Sequence, residues 1–150
     1  MICSDYKIET TTDRDKIEQV LLLFDRSFSR PLSERLGSLR DYALKLSENA
    51  VVDIVSLQDE IIGFSAYYCN DQLTKQAFLT QIAVVDACKG LKIGNELLKT
   101  CMETSKQKGM EKLVCEVDHI NVSALRFYEK HGFTFLKNVS DEFRFLIKNL

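Results

Sequence analysis

The chain has 150 residues, enough for a single domain spanning residues 1–150 with a substantial core. Its 20 basic and 22 acidic residues leave a net charge of −2, which gives no bulk basicity for nucleic acid or an anionic membrane surface. With 45% hydrophobic residues and no apolar run near the roughly 18 residues of a membrane span, the composition is that of an ordinary globular protein. The opening "MICSDYKIETTTDRD" lacks a charged-then-apolar leader, so a cytoplasmic location is expected. Five scattered cysteines (Cys3, Cys69, Cys88, Cys101, Cys115) show no CxxC or Cys/His cluster; neither a disulfide framework nor a metal site is expected.

In chain order, Tyr6 to Thr10 reads as a short strand. Behind the acidic start "TTDRD", Ile17, Val20, Leu21, Phe24 and Phe28 recur at helical spacing, and "SRPLS" breaks the helix at Pro31. A second helix is predicted with Leu36, Leu39, Ala43 and Leu46 on one face. "AVVDIVSL" and "EIIGFSAYY" form a hairpin across Gln58 and Asp59. After the polar loop "NDQLTKQ" comes "AFLTQIAVV", an apolar strand expected at the centre of the sheet. A helix follows with Ile93, Leu97, Leu98 and Cys101 facing inward, ending at Gly109, and then the buried strand "KLVCEV". "NVSALRFYEKHG" is a short helix from Asn121 to Gly132, and "FTFLKNV" with "EFRFLIKN" closes the chain as an antiparallel pair. The order β-α-α-β-β-β-α-β-α-β-β is α+β around one largely antiparallel sheet.

The turn "CKGLKIGNELL" places Lys89, Gly90, Lys92 and Gly94 directly before a helix. Amides at a helix start lack intrahelical partners and sit at the positive end of the dipole, so such a turn suits a phosphate. Alone, the stretch does not separate an anion site from a connecting loop, and it is neither a P-loop nor a GxGxxG fingerprint.

A second segment decides between them. Asn121, Ala124, Phe127, Tyr128, Gly132 and Phe133 follow the spacing Asn-x-x-Ala-x-x-Phe-Tyr-x-x-x-Gly-Phe. With "LTQIAVVDACKGLKIGNELL" upstream, residues 60–135 closely resemble the GNAT acetyltransferase superfamily. The resemblance implies a GNAT-like mixed, largely antiparallel sheet of about seven strands flanked by about four helices. It also implies acetyl-CoA as cosubstrate, no metal, and direct acetyl transfer to an amine.

By position, the resemblance assigns the acetyl-CoA loop to Lys89, Gly90, Leu91, Lys92, Ile93 and Gly94. Lys89 stands where the family has Gln or Arg, and Lys92 stands where it has a glycine; with a negative φ, Lys92 could still donate its amide. The strand Gln81, Ile82, Ala83, Val84 is expected to bear a bulge, to pair with the pantetheine arm and to splay from "KLVCEV". Tyr128 is implied as general acid, and Asn121 as a helix cap with a possible contact to the cofactor. Glu116, twelve residues before Tyr128, is the leading general base; on a mostly apolar strand, desolvation would raise its pKa. His119 and Asp71 are the alternatives. For the acceptor, the resemblance points to Phe28, Arg30, Tyr42, Asn70, Asp71 and Gln81.

The expected acceptor is a primary amine of a small molecule, such as an amino sugar or an amino acid. Protein N-terminal acetylation and a non-catalytic acyl-CoA-binding regulatory module are the alternatives. The protein is expected to act as a monomer or homodimer without nucleic acid or membrane.

Overall fold

The computed structural model describes residues 5–28 and 30–150, so Cys3 lies outside the described residues. The elements are β1 (Lys7–Thr11), α1 (Arg14–Leu23), α2 (Leu32–Leu36), α3 (Leu39–Asn49), β2 (Val51–Leu57), β3 (Glu60–Tyr68) and β4 (Gln76–Val84). A 3₁₀ helix (Asp86–Leu91) leads to α4 (Ile93–Gln107), β5 (Lys112–Asp118), α5 (Val122–Lys130), β6 (Thr134–Asn138) and β7 (Phe143–Asn149). The strands form one seven-stranded sheet in the order β1-β2-β3-β4-β5-β7-β6. Only β4 and β5 run parallel; the other neighbours are antiparallel.

The helix predicted from Leu36 to Leu46 is in fact two. Gly37 takes φ +72°, and Ser38 opens α3 by accepting the Asp41 amide at 3.2 Å. α1 starts where Asp13 accepts the amides of Asp15 and Lys16, and it ends at Leu23, so Phe28 lies beyond it. Phe28 still packs inward, edge-on to Phe64 with ring centroids 6.5 Å apart.

Helices cover both faces of the sheet. Ile17, Val20, Leu21 and Phe24 of the α1 region, with Leu39, Ala43 and Leu46 of α3, bury Val52, Ile54, Phe64 and Ala66. On the opposite face, Leu98 and Cys101 of α4 and Tyr128 of α5 pack on Tyr67, Leu79, Leu113, Cys115 and Leu146. Burying each of the valine, leucine, isoleucine and phenylalanine side chains among them contributes about 1.5–3 kcal/mol, so the two layers fix the sheet between them. The fully buried Asp53 of β2 is satisfied by hydroxyls: Tyr67 donates at 2.6 Å and Thr10 at 2.7 Å.

Candidate active site

A parallel pair that comes apart creates the site. β4 and β5 pair only from Gln76–Leu79 to Lys112–Cys115. On its other side β4 stays paired with β3, but the register jumps from Tyr67↔Leu79 to Ala66↔Gln81, leaving Thr80 as an extra residue. Such a bulge bends and twists its strand. β5 meanwhile follows β7 as far as Asp118. From Thr80 and Glu116 onward the two strands diverge, and the wedge between them holds a cleft of about 610 Å³. The splay expected beside residues 81–84 is present, and the bulge expected within them falls one residue earlier, at Thr80.

Gln81, Ile82, Ala83 and Val84 line one wall. Gln81 is also tied to α3, because Tyr42 donates to its Oε1 at 3.0 Å. Its Nε2 donates to Thr80 at 3.1 Å, so the bulge is held by side chains as well as by the ladder.

The turn before α4 closes one side. Lys89, Gly90, Lys92, Gly94 and Asn95 line the cleft. The negative φ on which a donating Lys92 amide was conditional is not adopted: Lys92 sits at φ 61° and ψ 22° in the left-handed region. The glycine that the resemblance expects there would adopt this geometry without strain. The first i to i+4 bond of α4 runs from the Glu96 amide to the Lys92 carbonyl at 3.2 Å, so the amides of Ile93, Gly94 and Asn95 precede it. A Cβ on Gly94 would lie 3.5 Å from the Phe127 ring and 3.9 Å from Val84, whereas one on Gly90 would meet nothing within 4 Å. Lys89 pairs with Asp86 at 2.9 Å. Leu91 and Ile93 point away from the cleft, into a cluster with Val55, Leu97 and the buried Cys88.

Tyr128 reaches the cleft from α5 and is almost wholly buried, its ring edge-on to Phe127 and Phe133. Burial pushes its phenol well above the ordinary value, with the nearby Cys115 and Cys101 sulfurs adding to the shift. The hydroxyl therefore remains a proton donor through the neutral range. The Cys115 thiol is pushed up to about 12, also by burial. Asn121 caps α5, accepting the Ala124 amide at 3.1 Å, and lines the cleft as well.

Alternation along β5 sends Leu113, Cys115 and Val117 to the α4/α5 face, and Glu116 and Asp118 to the α1–α3 face. There Glu116 is not alone on an apolar strand, as expected, but accepts from Arg35 Nη2 at 2.6 Å. Arg35 lies over the Phe143 ring at 4.4 Å. Arg30 lies over the same ring at 5.4 Å, ion-paired with Glu142 and 3.9 Å from Asp118. Arg35, Phe143 and Asp118 all line the cleft but were not singled out from the sequence; Lys130 is a further lining cation.

Three candidates lie elsewhere. His119 has Nδ1 2.8 Å from the Glu142 carbonyl oxygen and lines a separate depression of about 410 Å³. Asn70 donates to the Asn49 carbonyl at 3.3 Å. Asp71 accepts from the Thr74 hydroxyl at 2.7 Å and from the Leu73 and Thr74 amides, which hold its carboxyl below the usual range. That side chain caps its own turn.

The profile of the acetyltransferase (GNAT) family matches residues 17–133, and the chain belongs to that family. N-alpha-acetyltransferase 30 of Schizosaccharomyces pombe is 27% identical over 100 residues, covering 59% of this chain and 65% of that protein. The probable N-acetyltransferase camello of Xenopus laevis is 23% identical over 88 residues, covering 59% of this chain and 40% of its own length. The chain thus spans 40% to 65% of these curated relatives. The PaiA N-acetyltransferase of Thermoplasma acidophilum, solved with coenzyme A, shares the fold at a TM-score of 0.75 and 17% identity. That match covers 96% of this chain and 99% of the other.

Proposed function

We propose that this protein is an acetyl-CoA-dependent N-acetyltransferase that transfers the acetyl group directly to a primary amine of a small molecule, working as a single domain in the cytoplasm. The observation that carries this reading is the wedge between β4 and β5, with the Tyr128 hydroxyl inside it and the start of α4 at its side. The residues present fit the cosubstrate. Past Leu79, β4 has no partner strand on its β5 side, so its backbone is open to an extended amide-bearing arm. The first amides of α4, with Lys92 and Lys130, suit a pyrophosphate, and Gly94 leaves the approach clear of a side chain.

Acetyl-CoA supplies a thioester carbonyl open to attack by an amine. Tyr128 holds a proton in the buried part of the cleft, available to the departing sulfur. Glu116 receives the amine on the opposite face of the sheet and takes up its proton. Gln81 and Thr80, braced by Tyr42, keep the bulged wall in place while both molecules bind.

The similarity to N-alpha-acetyltransferase 30 supports a second reading, with a protein N-terminus as acceptor. Thiol release from acetyl-CoA in the presence of small amines and of short peptides tests both. Turnover with small amines is expected. Coenzyme A binding by calorimetry without turnover of any amine or peptide would refute catalysis and leave a binding module.

A further inference from the structure

The charges on the acceptor side of the cleft are matched in a particular way. Arg30 is anchored twice, by Glu142 and by Asp118. Arg35 is held by Glu116 and by the Phe143 ring beneath it, and its side chain is 39% exposed in the cleft wall. An amine that binds to Glu116 enters as an ammonium and meets Arg35 already there. Only the Nη2 of Arg35 is engaged, by Glu116, so the rest of the planar guanidinium is open to an anion brought in beside the amine. A molecule with a carboxylate next to its amine fills both places. Its ammonium takes Glu116, its carboxylate takes the planar fork of Arg35, and opposite charges alternate around the group. The Arg35–Glu116 separation is only 2.6 Å, so the two charges of the acceptor must be close neighbours too. An α-amino acid has that spacing; a polyamine, an amino sugar and a peptide N-terminus lack the adjacent carboxylate.

We infer that the acceptor is a free α-amino acid, with Arg35 reading its carboxylate and Glu116 its amine. This rests on the acetyltransferase reading above and narrows its substrate class. Arg35 is the specificity-determining residue, and the Phe143 ring beneath it keeps it in position.

The test measures acetyl-CoA turnover with the proteinogenic L-amino acids, their carboxamides, the corresponding decarboxylated amines and short peptides. The expected kcat/KM for the preferred free acid exceeds that of its carboxamide and amine by about tenfold or more. Arg35→Gln should raise KM for that acid by about tenfold, move kcat far less, and bring the acid-to-amide ratio near one. Arg35→Lys, which keeps the charge without the fork, should restore part of the preference. Coenzyme A affinity by calorimetry, unchanged in both variants, shows that the cleft is intact. Equal turnover of acids, amides and peptides, or a preference that survives Arg35→Gln, would overturn the inference and leave the acetyltransferase reading standing. Absence of both turnover and coenzyme A binding would remove that reading, and this one with it.

Discussion

Replacing Lys92 by glycine separates two effects that its side chain combines. Left-handed backbone costs an L-residue roughly 1–2 kcal/mol, and Lys92 holds φ 61° without a side-chain cap bond. Glycine removes that cost but gives back roughly 0.4–1 kcal/mol through its freer unfolded chain. The difference is a net gain of about 0.5–1 kcal/mol, or about 1–4 °C in Tm for a domain of this size. Against that stands the lost charge. An ammonium about 6 Å from a phosphate charge in water-like surroundings contributes roughly 0.7 kcal/mol, and two phosphate charges bring this to about 1.4 kcal/mol, tenfold in Kd. Lys92→Gly is therefore expected to melt higher yet bind coenzyme A about tenfold more weakly at low salt, with the gap closing near 1 M salt, where the Debye length is about 3 Å. Lys92→Ala keeps the strained backbone and should show the weaker binding without the gain in Tm. Scanning calorimetry and titration calorimetry on the two variants give both quantities. Tighter coenzyme A binding by Lys92→Gly would mean that the side chain obstructs the site, and an unchanged Tm would mean that the strain is not there.

At Gly94 an alanine Cβ makes ordinary contact with Phe127, so Gly94→Ala should leave coenzyme A affinity within about twofold, whereas Gly94→Val should weaken it by about tenfold; unchanged affinity in the valine variant would move the site. Tyr128→Phe keeps the ring and removes the proton, so kcat should fall by roughly 10²–10⁴ while coenzyme A affinity holds. Glu116→Gln should lower kcat/KM and abolish the ascending limb of its pH profile, and His119→Ala should keep that limb because His119 faces another depression. If the limb survives in the glutamine variant, Glu116 is not the base. Burial holds the pKa values of Tyr128 and Cys101 well above their ordinary values, and pushes those of Cys115 and Tyr68 up to about 12. Such groups contribute stability that is complete below their unfolded values and is lost as pH climbs toward the folded ones. Urea unfolding should therefore show stability falling above about pH 9, by up to about 1.4 kcal/mol per pH unit for each group; equal stability at pH 7.5 and 10 would contradict this.

Local signals in the sequence had local causes. The hairpin was legible because Gln58 and Asp59 are a two-residue connection, and both adopt positive φ, 53° and 65°. The division of α2 from α3 was also written locally, in Gly37 followed by the capping Ser38, but apolar spacing from Leu36 to Leu46 concealed it. Strand order was less accessible, since the insertion of β7 between β5 and β6 depends on contacts across the whole sheet. In the site, the spacing around Asn121 and Tyr128 was readable because both belong to one short helix and its cap. The left-handed turn at Lys92 was not, because lysine has no preference for that geometry. Arg35 and Glu116 are 81 positions apart, and no periodicity links them. Asp71 carried a competing signal: Thr74 three residues on gives it a turn to cap, which satisfies the carboxylate where it stands.

Past Leu79, β4 is a strand margin inside the sheet instead of at its rim. Bare margins at the outside of proteins recruit other chains and invite aggregation, and folded proteins shield them with charge, proline or covering loops. Here the shield is width. The margin lies at the bottom of a wedge whose far wall is another strand of the same sheet, so a globular neighbour cannot reach it. A single extended arm can. The parting of two strands thus works as a size filter, keeping a backbone open to slender molecules and closed to proteins.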